Sequence, residues 1–148
     1  TRLGMNGRLD TLQCAILLAK LERYPWELEQ RERVAKKYAA AFADVKQKDF
    51  SYPQVLAGNQ SAWAQYTLTV GDRPTFEKKM KEYGVPTSVH YPRTMPDQPW
   101  YKENTTRVIG DIKNARWAAD HVISIPMFPD MDDKTQEYII EHTLKALK

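Results

Sequence analysis

Two short stretches carry side chains whose types and spacing could do chemistry. Asn6-Gly7-Arg8 joins an amide that can donate to phosphate oxygens with a guanidinium fork matched to phosphate or carboxylate. The pair sits just ahead of a predicted helix N-terminus, where anions are favoured. A turn residue beside a solvated arginine is the other reading of the same tripeptide. His90-Tyr91-Pro92 closes a predicted short strand and feeds a long loop, and strand ends are good platforms for binding groups. Successive strand residues face opposite ways until the strand bends, so one core aromatic plus one surface histidine fits these letters as well. His121 and His142 have no acidic or cysteine partner at metal-ligand spacing and read as structural or surface groups. Cys14, in an apolar helical stretch, reads as packing. The nucleophile elbow, the phosphate loop and the dinucleotide glycine fingerprint are all missing from the sequence. The carboxylates form no obvious acid–base pair, so a reaction cannot be read from the residues alone.

The elements that must position these groups follow from periodicity and caps. Asp10 with Gln13 three residues on forms a capping box and predicts a helix start. Leu9, Leu12, Ile16 and Ala19 mark one face, but Cys14, Ala15, Leu17 and Leu18 fill the others. A helix apolar all round must be buried all round, so it calls for a partner surface. Pro25 predicts a kink or a break after Tyr24, and Val34, Tyr38 and Phe42 stripe a second helix from about Trp26 to Phe42. Residues 43–60 read as loop. Ala64 to Val70 alternates apolar and polar as a strand, and Phe76, Met80 and Tyr83 mark a helix that Gly84 closes. Thr87 to Tyr91 predicts a second strand, ended by Pro92, and residues 93–110 a long loop. A helix from about Asn114 to Asp120, a strand Val122 to Ile125, and a last helix capped by the Asp133/Gln136 pair complete the chain. The expected fold is α+β, a three-stranded, mainly antiparallel sheet with helices on one face. We expect one domain over 1–148: a long helical segment, 10–42, then a sheet and helix unit, 61–148.

Composition removes several classes. The 148 residues are 42% hydrophobic and 28% charged, an ordinary globular balance. The net charge is +3, and 22 basic residues are interleaved with 19 acidic ones, which argues against a nucleic-acid partner. The longest apolar run, Cys14 to Ala19, is too short to cross a membrane. One cysteine excludes an internal disulfide framework and suits a reducing compartment such as the cytoplasm. The first methionine, Met5, already lies inside a motif, so the chain is expected to be part of a longer protein.

With those residues in view, the chain resembles the C-terminal part of the DegT/StrS-like family of pyridoxal-phosphate-dependent nucleotide-sugar aminotransferases. Gly4 to Leu17 is similar to the family's G-x-N-x-R-hydrophobic-D-x-x-Q-A-A stretch, with Cys14 in place of the first alanine. Arg31-x-x-Val34-Ala35-x-x-Tyr38 resembles its R-x-x-x-A-x-x-Y helix. Gly84 to Pro92 resembles its G-I-x-T-x-x-H-Y-P strand, and Ser124 to Pro129 its S-L-P-x-x-P segment. The wording of Asn6 to Gln13 and of Ser61 to Tyr66 is closest to the branch acting on UDP-2-acetamido-3-oxo-glucuronic acid.

The resemblance implies a fold-type I homodimer with active sites shared between subunits. In such an enzyme Asn6 reaches the neighbouring subunit's cofactor phosphate, Arg8 approaches the substrate, and His90 and Tyr91 hold the nucleotide-sugar. It also implies amino transfer, with glutamate as donor, to a 3-keto UDP-sugar in surface polysaccharide (O-antigen) synthesis. The family's Schiff-base lysine and cofactor-ring aspartate lie upstream of this stretch, so the fragment alone is expected to be inactive. Lys20, the lysine with mostly apolar neighbours, is expected to pack its stem and keep its ammonium wet. A stand-alone module that binds a nucleotide-sugar or a partner without catalysis is the competing expectation.

Overall fold

The computed structural model describes residues 9–104 and 107–148. Helix α1, Thr11–Leu21, opens on the expected capping box: the Asp10 carboxylate accepts from Gln13 N at 2.8 Å and Gln13 Oε1 accepts from Asp10 N at 3.2 Å. Helix α2, Tyr24–Phe42, follows almost at once with Pro25 in its first turn, where a missing N–H costs nothing. None of the α1 side chains is buried, and Leu12 is 78% exposed with Ile16, Leu18 and Leu21 also open. The sequence demanded cover for this helix, and the described residues do not provide it.

Helix α2 is the floor of the core. Val34, Ala35, Tyr38 and Phe42 are buried at helical spacing against strands β1, Tyr66–Thr69, and β2, Val122–Ile125. The strands run antiparallel with Tyr66 opposite Ile125 and Leu68 opposite Ile123, so these apolar residues share the covered face. Helix α3, Arg73–Glu82, and helix α6, Asp133–Ala146, close over the same face through Phe76, Met80, Ile139 and Ala146. Gly84, at φ +71°, ends α3 in a Schellman motif: Val85 N donates to Met80 O at 2.9 Å and Gly84 N to Lys81 O at 3.0 Å. The long loop after Pro92 holds a 3-10 turn, Met95–Asp97, and short helix α4, Pro99–Glu103. Helix α5, Lys113–His121, leads straight into β2.

Two expectations need correction. Among the described residues the sheet has two strands rather than three. The stretch from Thr87 to Tyr91 contributes a single bridge, Ser88 to Ser124, and Ser51 makes a similar bridge to Thr69 on the other edge. The register on one side and the bend at His90 on the other keep the pairing short. Two residues beyond the Ser88–Ser124 pair, Pro86 would stand opposite Pro126, and neither has an N–H to continue the ladder. The second correction concerns α6, whose N-cap is Asp132, accepting from Thr135 N at 2.7 Å. Gln136 is instead fully buried, and its Nε2 donates to Val34 O at 2.8 Å, tying α6 to α2.

Candidate functional site

The bridge at Ser88 sets the direction of the chain into His90-Tyr91. The chain bends at His90, and the His90–Tyr91 peptide bond is cis. The two rings meet edge to face with centroids 5.9 Å apart. His90 lines a cavity of about 260 Å³ whose other walls include Gln65, Ser124, Pro126 and Met127. Tyr91 is 74% exposed and stands away from it. Asn6 and Arg8 lie outside the described residues. The structure thus places His90, but not Tyr91, in the cavity wall.

Residues from α2 shape that cavity from behind. Arg31 Nη1 donates to Trp63 O at 2.9 Å and lies 3.5 Å from Met127 O, a long approach. The Trp63 indole N–H donates to Glu32 at 2.6 Å, and Tyr38 Oη donates to Pro126 O at 2.9 Å. Trp63 has φ +47°, a left-handed conformation that costs a bulky residue about 1–3 kcal/mol. These bonds, with the stack of Trp63 on Tyr66 at 5.7 Å, hold it there. Sequence reading passed over Gln65 and this grip. Trp63 and Gln65 were visible only as part of a family-like phrase, and no local period announces a left-handed tryptophan.

A second cleft, about 590 Å³, opens beside α4 and α5 and is lined by Arg93, Lys102, Arg116 and Asp97 among others. Arg116 grips Asp97 with two bonds, 2.9 and 3.2 Å, and Thr94 Oγ1 donates to the same carboxylate at 2.6 Å. The Arg116 bond above all, then that from Thr94, holds the Asp97 pKa down at about 2. A depressed folded value stabilises the folded loop above the ordinary carboxylate range. That contribution fades as pH falls from about 4 through about 2. NMR titration of the Asp97 carboxyl should give a midpoint of about 2, and Arg116→Ala should move it back toward about 3.9; a midpoint that ignores the substitution would remove Arg116 as the cause.

The remaining histidines are structural, as expected. His121 Nδ1 lies 2.6 Å from Trp117 O with its ring stacked on that indole. His142 Nδ1 lies 2.8 Å from Tyr138 O, beside Tyr83. Among the described residues no group of His, Cys, Asp and Glu could hold a metal ion, and no helix is long and apolar enough to cross a membrane. A lysine that links covalently to pyridoxal phosphate must be desolvated. No lysine among the described residues is buried, and Lys20 is exposed on α1.

A small antiparallel sheet backed by helices is the fold that this chain shares with a solved aminotransferase. The chain belongs to the DegT/DnrJ/EryC1/StrS aminotransferase family, which it matches over residues 1–144. It is 39% identical over 132 residues to the UDP-2-acetamido-2-deoxy-3-oxo-D-glucuronate aminotransferase of Pseudomonas aeruginosa, covering 88% of this chain and 34% of that protein. It is 32% identical over 144 residues to the pleiotropic regulatory protein of Geobacillus stearothermophilus, covering 94% of this chain and 37% of that one. The crystal structure of a DegT/DnrJ/EryC1/StrS aminotransferase from Brucella abortus superposes with a TM-score of 0.80 at 31% identity, covering 99% of this chain and 38% of that one. S. venezuelae DesV shares the fold at a TM-score of 0.83 and 23% identity, over 98% of this chain and 38% of its own. The chain spans little more than a third of the length of the curated relatives it matches (34% and 37%).

Proposed function

We propose that this chain is the C-terminal small domain of a pyridoxal-phosphate-dependent, cytoplasmic aminotransferase that transfers an amino group, from glutamate, to a 3-keto UDP-sugar used in surface polysaccharide (O-antigen) synthesis. The observation that carries the reading is the 39% identity to a UDP-2-acetamido-2-deoxy-3-oxo-D-glucuronate aminotransferase. The cofactor, when bound to the whole enzyme, supplies the electron sink. This domain supplies binding and charge neutralisation: Asn6 toward the cofactor phosphate, Arg8 toward a substrate carboxylate, His90 and Tyr91 toward the nucleotide-sugar. The chain's span of 34% of that relative supports the expectation that the fragment alone is inactive. The open apolar surface of α1 supports a homodimer in which that helix is covered within the assembled enzyme.

A charge-assisted pair between Arg8 and a carboxylate is worth about 1.5–3 kcal/mol. In the full-length enzyme Arg8→Ala should therefore raise KM for the UDP-sugar acid about ten- to a hundredfold with a smaller change in kcat. Steady-state kinetics with unchanged KM would remove the role. A stand-alone binding module predicts something else: a monomer on size-exclusion chromatography, with no new absorbance when pyridoxal phosphate is added to the intact gene product.

A further inference from the structure

Gln65 stands out because Trp63 and Tyr66 beside it are held while its own amide is unpaired among the described residues. Tyr66, the next residue, is fully buried, and Trp63 is gripped by Arg31 and Glu32. Gln65 itself is exposed and makes no hydrogen bond among the described residues. It lines the cavity that holds His90 and also the neighbouring groove of about 520 Å³, so it forms part of the wall between them. The sheet face here is the one turned away from the helices: Tyr66 and Leu68 are buried on the other side, while Thr67 Oγ1 meets Ser124 Oγ at 2.9 Å. Pro86, Pro126 and Met127 give the smaller cavity an apolar wall opposite these neutral polar groups. Apolar C–H faces flanked by uncharged donors and acceptors match a pyranose ring, and a diphosphate would ask for cations instead.

We propose that this cavity seats the pyranose of the nucleotide-sugar and that Gln65 hydrogen-bonds its hydroxyls. The Arg31–Trp63–Glu32 grip is the positioning device that keeps Gln65 there. The inference rests on the nucleotide-sugar reading above and adds to it a residue, a subsite and the support behind both. The left-handed turn at Trp63 gives the grip its purpose. A strained backbone next to a cavity persists only where its surroundings enforce it, and here two side chains of α2 do so.

The test measures, by titration calorimetry on the full-length enzyme, affinities for UDP and for UDP-N-acetylglucosamine. Gln65→Leu should weaken UDP-N-acetylglucosamine about three- to tenfold, the worth of one neutral hydrogen bond, and leave UDP unchanged. Arg31→Ala should cause the same selective loss, Arg31→Lys should restore part of it, and the double variant Gln65→Leu/Arg31→Ala should lose no more than either alone. Equal losses for both ligands, or none for either, overturn the sugar contact. Additive losses in the double variant overturn the positioning role. Wild-type enzyme that binds neither ligand overturns the nucleotide-sugar reading itself, and this subsite with it.

Discussion

Tyr66→Ala is expected to destabilise the domain by about 3–5 kcal/mol, enough to unfold much of it at ambient temperature. The Tyr66 ring is fully buried at the centre of an aromatic cluster, with centroids 4.9 Å from Tyr38, 5.7 Å from Trp63 and 6.4 Å from Phe42. Its removal leaves a hole bounded by two strands and α2, which packed aromatics cannot collapse to fill. The conservative changes should separate packing from hydrogen bonding. The Tyr66 hydroxyl is buried with no partner among the described residues, so Tyr66→Phe should be neutral or stabilising by up to about 1 kcal/mol. Tyr38 Oη donates to Pro126 O at 2.9 Å, and Tyr38→Phe should cost about 1 kcal/mol instead. Urea unfolding of the variants checks both, and shifts of the same sign would refute this account of the two hydroxyls.

Alkaline pH should unfold the domain through the same residues. Burial, first of all, pushes the Tyr38 and Tyr66 phenols up from their usual value near 10, and the neighbouring tyrosines (Tyr66 for Tyr38, Tyr52 for Tyr66) add to it. A folded value raised above the unfolded one gives stability that is complete below about pH 10. Above that the unfolded chain ionises while the folded one cannot, and each phenol withdraws about 1.4 kcal/mol per pH unit. Urea midpoints measured between about pH 9 and 11.5 should be flat at first and then fall steeply. Tyr66→Phe should reduce the slope by about half its tyrosine component. A profile that stays flat throughout this range would mean that both phenols ionise freely in the folded protein.

What was legible in the sequence was local. The Asp10/Gln13 box, the glycine close at Gly84 and the strand Val122–Ile125 all stand where their residues said, because caps and period-two alternation act within a few residues, whereas the break expected after Tyr24 falls before it, at Glu22 and Arg23, with Pro25 in the first turn of α2. Asn6, Arg8 and the His90-Tyr91 pair were visible as residue types, and the family-like phrases pointed to the aminotransferases that the family match then showed. The Asp133/Gln136 pair misled because Asp132, one residue earlier, is an equally good cap. The choice between them turned on burying Gln136 against Val34 O.

The sequence by itself determined the long helices, the strands β1 and β2, which faces are greasy, and that α1 needs cover. Only the tertiary structure decided that Thr87 to Tyr91 makes a single bridge to β2 instead of a third strand, since that pairing joins distant segments. It alone brought Gln65 to the same cavity as His90 and set Arg31 behind Trp63. The physical reason is range: propensity and capping are written in neighbouring residues, whereas cavities and positioning bonds exist only once remote backbone has been packed together.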